Sequence, residues 1–552
     1  MVAVNVGLFR GMSEKVSPRL LPEDMAVSVV NADLDSGTLR PIKAMVGTTI
    51  TVSGPTLDAP NGSTKGLFQA RDGSWFNFGA GVNVTAIDSP VAEDAYNRVY
   101  FSGFNAPRVT STTAPTVSFP LGVPKANTPT QSISPQNSAN EDTETASSRS
   151  YVITQYTSFG EEGPPSNPTA ILNVRSDQTV SITTGGASEG NRNIVYLRVY
   201  RTDANGSFRF LAQRSLAQAS VAFDDTVLDS ALGEELVSQD WDEPPENMQG
   251  LCAMANGICA GFVGQTVCFS EAFLPHAWPK RFQLTTQHTI KAIKTFETGL
   301  LVMTDGKPYI VQGADPAGMV MTELNVPYPI SSPYSAVDMG GSVIYCSTDG
   351  LVSVSSSGAS LVTEPLFSSD GWAAAHSPAT VSGFLWKGKY VGFHETVSDI
   401  NGFIFDPRGG KSAFTKHSAG EVLEGRGFSS SQDDELYVVV SGALNKFAAG
   451  TSYLNASWDS RHYYSDRPVN LGVAKVSFGE NLGAGDTTIS LTVASNMDTA
   501  SDSIVHTKSI GASEPISTFR LPSGYKMNSF KVFVRTKREI HSITFAECPT
   551  EL

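Results

Sequence analysis

Apolar and polar residues alternate in short runs along most of the chain, and Gly, Pro, Asn and Asp break these runs at close intervals. In NIVYLRVYRT, Ile194, Tyr196, Arg198 and Tyr200 fall on one face, and Val195, Leu197 and Val199 on the other. A two-residue period of this kind predicts half-buried β-strands. GLFQARDGSWFNF predicts a hairpin whose two-residue turn is Asp72-Gly73. Valine, threonine, serine and aromatic residues fill the regular stretches, and long Ala/Leu/Glu/Lys runs are missing. The fold class expected is all-β.

The pattern changes along the chain and marks out units. Residues 1–44 read as an extended arm carrying Pro18 and Pro22, with a short helix expected from Pro22 to Asn31, where Glu23 and Asp24 favour a first turn. Leu8, Phe9, Leu20, Leu21, Met25 and Val29 are apolar but lie in a segment too short to bury them by itself. They are the candidate subunit-interface residues. Residues 45–115 give short strands and turns, and residues 116–149 read as a linker without hydrophobic period. Residues 150–245 contain five strands at the spacing of a β-sandwich. Between 246 and 450 an apolar strand repeatedly follows a turn, at Gly257, Gly299, Gly341, Gly388 and Asp434, at intervals of 42, 42, 47 and 46 residues. That period predicts β-propeller blades, with a sandwich of the same strands as the competing arrangement. The strands before 115 and the repeats after 246 are expected to share one propeller, the sandwich being inserted between two blades. Six strands in residues 451–552 predict a C-terminal β-sandwich.

Charge narrows the function. Against 54 acidic residues stand 39 Lys and Arg, a formal net charge of −15 over 552 residues. A surface that grips phosphates needs the opposite balance. Sequence-specific nucleic-acid binding is therefore not expected, and the same charge is compatible with an acidic surface that DNA passes without sticking. Cys252, Cys259, Cys268, Cys346 and Cys548 form no CxxC pair and read as buried, reduced thiols. The N-terminus lacks the apolar core of a signal peptide, and no window approaches 18 apolar residues, so no membrane span is expected.

Candidate chemistry is sparse. His276, His288, His376, His394, His417, His462, His506 and His541 are scattered, with no i, i+4 pair of the helical zinc type. The serine-rich stretches GFSSSQDD and SVSSSGAS lie in turns, outside any strand-to-helix elbow. Adjacent acids at Glu161-Glu162, Asp224-Asp225, Glu234-Glu235 and Asp433-Asp434 are the candidates for a two-carboxylate glycosidase. All sit at strand ends, where acids serve solubility equally well. NADLDSG has only two acids at i, i+2, short of a calcium loop. No catalytic, metal or cofactor residue is assigned.

Several stretches resemble the tail nozzle (tail tubular) and related virion structural proteins of short-tailed phages. LLPEDMAVSVVNADLDSGTLRPIKA resembles their opening segment, and VAEDAYNRVYFSGFNAPRVT an early blade strand with its turn. SYVITQYTSFGEEGPPSNP resembles the fibronectin-like insert, and ISSPYSAVDMGGSVIYCSTDGLVSVSSSG the most repeated blade motif. SWDSRHYYSDRPVNLGVAKV and FRLPSGYKMNSFKVFVRTKREIHSITFAECPTEL resemble the segments that leave the propeller and close the chain. The resemblance runs in order along nearly the whole chain. It implies a virion tail protein assembled in the host cytoplasm: a ring of six copies below the portal and adaptor, beside other tail components, that retains packaged double-stranded DNA and conducts it during genome ejection. It also implies a β-propeller with a fibronectin type III-like insert and a C-terminal sandwich, and no catalytic residue. The alternative is a carbohydrate-binding or glycoside-hydrolysing β-propeller tail component.

Overall fold

A computed structural model describes residues 3–55, 66–78, 84–103, 105–136, 146–189, 192–395, 401–408, 414–418, 423–440, 443–480, 482, 485–498, 503–511 and 515–552. The chain is all-β: a propeller, a sandwich inserted in it and a C-terminal sandwich. A single α-helix, Ser369–His376, is found among the described residues, capped by the Ser368 side chain.

Seven blades follow one another around the propeller. The first holds Val52–Ser53, Leu67–Gln69 and Trp75–Asn77, and the second runs from Thr85–Asp88 to Ala114–Pro120 in four antiparallel strands. The third spans Gln249–Ala253 to Gln283–Thr285, the fourth Ile290–Phe296 to Val320–Glu323, and the fifth Val337–Asp338 to Gly358–Leu361. The sixth spans Ser382–Trp386 to Phe414–His417, and the seventh Leu423–Ser430 to Ala443–Lys446. The repeated turns of the sequence fall at one equivalent place, between the first and second strands of blades three to seven. Each such turn contains a residue in the left-handed region, among them Gly257 (φ 71°), Glu297 (φ 47°), Gly340 (φ 94°), Gly388 (φ 76°) and Asp434 (φ 54°). Tight hairpins between right-twisted strands require this backbone, which is why Gly and Asp recur there. Gly73 does the same in the first blade, at φ 88°.

Apolar clusters close the circle. Phe76 and Phe78 meet Val99 and Phe101 between blades one and two. Tyr100 and Val109 meet Leu251 and Cys259 between two and three. Phe269 and Ile293 join three to four, and Leu301 and Val352 join four to five. Cys346 and Tyr390 join five to six, Val391 and Val438 join six to seven, and Tyr437 returns to Trp75 of the first.

The insert leaves the second blade and re-enters at the third. It is a β-sandwich of Thr130–Ile133, Val180–Thr183 and Phe223–Asp225 packed against Tyr151–Thr157, Ile194–Thr202 and Phe208–Ser215, with Ser147–Arg149 paired to Leu172–Val174. The expected linker 116–149 is thus mostly structured: Ala114–Pro120 is the outer strand of the second blade, and Thr130–Ile133 already belongs to the sandwich. Proline is tolerated on an outer strand, where no further neighbour needs its N–H, so TAPTVSFP carries the look of a linker while pairing as a strand.

The N-terminal residues do not form a free arm. Ala3–Val6 pairs with Ile540–Ala546 in the C-terminal sandwich. Ala26–Val30 lies between Phe414–His417 of the sixth blade and Ala456–Ser460 of the C-terminal sandwich, fusing both into one ten-stranded sheet. Val46–Gly47 then adds a fourth strand to the seventh blade. The helix expected at Pro22–Asn31 is therefore corrected to a strand. AVSVV is β-branched at three of five positions, and its backbone groups find partners on both sides.

Candidate functional site

The six candidate interface residues separate into two groups. Phe9, Leu21, Met25 and Val29 are buried within the chain itself. Phe9 stands edge-on to Trp458 at 5.2 Å, and Met25 and Val29 join the same core. Their apolar surface is already covered, so the expectation that they dock on a neighbouring subunit is corrected for these four. Leu8 and Leu20 remain 39% and 71% exposed. Leu20 rides on a loop held to the C-terminal sandwich, where Arg461 Nη2 donates to the Arg19 carbonyl at 2.7 Å and His462 N to that of Pro18 at 3.0 Å.

Two of the openings among the described residues lie where several elements meet. A cleft of about 770 Å³ separates the turn 32–42 from the face of the sixth blade, lined by Asp33, Asp35, Trp386, Lys389, Asp406 and Arg408 among others. The half-formed calcium motif NADLDSG is explained here. Asp33 and Asp35 hold the Lys389 ammonium at 3.2 and 2.7 Å, so a side-chain cation stands between them. Asp406 is paired with Arg408 at 2.9 Å, and that bond holds its carboxyl below the usual range against the opposing effect of burial. The second opening is the axial tunnel of the propeller. All seven blades line its roughly 350 Å³, including Leu67, Thr85, Gly250, Lys294, Ser382 and Ser429. At about 30 Å³ per water it holds on the order of a dozen molecules. A DNA duplex does not pass through a single subunit.

The acidic pairs of the sequence lie elsewhere, and most of their members are committed to other groups. Glu161 is buried and bonded to Arg98 at 2.8 Å, and Asp94 binds the same guanidinium at 2.8 Å. This ion triad ties the insert to the second blade, assisted by Phe159 against Tyr96 and Phe119. Burial raises the Glu161 carboxyl despite Arg98, and it lifts the guanidinium's neighbour Tyr100 well above its ordinary value. Glu162 accepts from Arg198, Tyr200 and Thr154. Asp225 is fully buried with Arg201 at 2.7 Å and accepts from Tyr151 at 2.8 Å. Asp224 accepts from Ser181, and Asp433 from Tyr437 at 2.7 Å. None of the four pairs lines the cleft or the tunnel. Sequence reasoning missed Arg98 and Arg201 as the partners, because nothing local marks a cation destined for a distant acid.

Four histidines, His276, His376, His394 and His417, and three cysteines, Cys259, Cys268 and Cys346, are likewise interior. His376 and His394 approach to 3.4 Å among Phe367, Trp372, Phe403 and Phe414. Burial holds His276 down to about 3, His376 to about 2, and His394 and His417 to about 4. Burial also pushes Cys252, Cys259 and Cys268 up to about 12, which leaves them as thiols. Among the described residues no three His, Cys, Asp or Glu side chains converge to hold a metal ion, and no helix is long and apolar enough to cross a membrane.

No family model matches the chain, and no curated protein matches it. Among solved structures, Hsv2 of Kluyvelomyces marxianus aligns at 8% identity and a TM-score of 0.25, over 48% of this chain and 69% of that one. A protein of unknown function from Desulfotomaculum acetoxidans aligns at 10% identity and a TM-score of 0.24, over 67% of this chain and 96% of the other. At these values neither bears on function, and the fold rests on the strand pairings above.

Proposed function

We propose that the chain is a structural subunit of a phage virion tail, a nozzle-like ring protein that retains packaged DNA and forms its exit channel, and that it is not an enzyme. The observation that carries the reading is how the chain is fastened. Its first 47 residues bind the C-terminal sandwich, the sixth blade and the seventh blade, and the Arg98 triad fixes the insert. Such a body, with none of its candidate acidic pairs lining the cleft or the tunnel, suits a wall that bears load. The chain-long order of nozzle-like segments supports the same reading. The axial tunnel is too small for DNA, so the channel in this proposal runs along the axis of a ring of six, between subunits. The net charge of −15 favours a lining that does not hold phosphates.

The cleft beside the sixth blade favours a second reading, a carbohydrate-binding tail component, since its acids, cations and Trp386 are groups that bind polar ligands. One experiment separates the two. Negative-stain images of the purified chain at micromolar concentration are expected to show closed rings with a through-channel. Single particles that bind a glycan array would overturn the nozzle reading.

A further inference from the structure

With most of the N-terminal apolar residues used inside the subunit, a ring needs another pair of faces. Two stretches stand out by composition. Residues 215–248, along one edge of the insert, contain nine acidic residues and no Lys or Arg. Residues 515–538, in the C-terminal sandwich, contain six basic residues and no acid.

The structure places uncovered apolar groups in both. On the insert, Val221, Leu228 and Val237 are 57%, 73% and 70% exposed, beside the exposed acids Asp224, Glu234 and Glu235. Glu234 reaches Arg198 only at 3.9 Å, and Asp224 and Glu235 have no ion pair among the described residues. On the C-terminal sandwich, Ile504–Ile510 is the outer strand of the ten-stranded sheet. Its register sets Val505 across from Thr492 and Lys531, and Ser509 across from Thr488 and Arg535. Val505, Phe533 and Arg535 therefore share one outward face, all of them exposed; the exposed Lys508 lies on the same outer strand but, across from Ile489, on the opposite side of the sheet. Arg535 and Lys508 have no ion pair among the described residues, whereas Lys531 is held by Asp459 at 2.8 Å.

We infer that the acidic edge of the insert docks on this basic face of a second copy. The inference rests on the ring reading and names its interface. Two different patches on one chain make a head-to-tail contact, and such a contact closes into a ring when the rotation between copies allows. Apolar groups supply the buried centre and the opposite charges set register and choice of partner.

The test is a charge swap followed by mass photometry and negative-stain imaging. The wild type is expected to form rings. The variant R535E and the triple variant D224K/E234K/E235K are each expected to need roughly tenfold more protein to form them. Mixing the two variants is expected to restore rings in which they alternate, and combining all four substitutions in one chain to restore rings. All altered side chains are exposed, so circular dichroism melts should stay at the wild-type midpoint. If wild-type rings persist unchanged in both variants, the interface lies elsewhere and the inference is overturned. If the wild type itself never forms rings, the nozzle reading fails first and the inference with it.

Discussion

Four buried histidines make the fold sensitive to mild acid. An unfolded histidine titrates near 6.5, whereas burial holds His276, His376, His394 and His417 at about 3, 2, 4 and 4. The folded state therefore refuses protons that the unfolded chain accepts. Stability is full above pH 6.5 and is lost as the pH falls below it, continuing until each folded value is reached. The slope is about 1.36 kcal/mol per pH unit per group. Between pH 8 and pH 5 each histidine costs about 2 kcal/mol, and four cost about 8 kcal/mol, which is comparable to the whole stability of a typical domain. Burial raises Glu161, Asp88 and Asp459, and these add stability as the pH falls through their raised values, so part of the loss is offset. Three of the four histidines lie in or beside the sixth blade, and His417 sits in the strand that pairs with Ala26–Val30. Hydrogen exchange at pH 8, 7, 6 and 5 is therefore expected to open the Phe414–His417 and Ala26–Val30 strands first. His417 packs on Phe393 and Phe447, and His417→Phe should fit that nest and remove about one quarter of the slope. Protection that stays flat from pH 8 to pH 5, or an unchanged slope in His417→Phe, would refute the argument.

Removing the N-terminal residues should unfold the protein rather than free a monomer. Phe9, Met12, Leu21, Met25 and Val29 each contribute roughly 1.5–3 kcal/mol, and their loss also strips a strand from the middle of a sheet; a soluble, cooperatively melting chain lacking residues 1–47 would contradict this. Arg98→Ala leaves Glu161 and Asp94 without their shared cation and should cost about 3–5 kcal/mol, seen as protease cleavage between propeller and insert. In the insert, Arg201→Ala strands Asp225 in the same way, and a fall in its melting temperature is expected while rings persist. Lys389→Met should loosen only the 32–42 turn, with an effect near 1 kcal/mol because Asp33 and Asp35 are partly in water; a global loss of stability would show that this turn does more than cover the cleft.

Local chemistry was enough to specify most of the strands. Side-chain alternation decides which face of NIVYLRVYRT is buried, and turn residues at intervals of 42 to 47, each at or close to a left-handed residue, mark the same hairpin in five blades, because both effects act within a few residues of the chain. Fold class and the order of units followed from these signals. Pairings across hundreds of residues did not. Val30 beside Lys416, Gly47 beside Asn445 and Arg98 beside Glu161 join segments that carry no mark of one another. Ala26–Val30 had too few residues to declare itself, and its carboxylate-flanked start argued for a helix until two neighbouring strands satisfied its backbone. The outer strand Ala114–Pro120 likewise passed for a linker, since an edge asks little of the sequence that forms it. Which apolar residues remain for a partner was decided by the tertiary structure alone, because burial depends on what the rest of the chain brings to each surface.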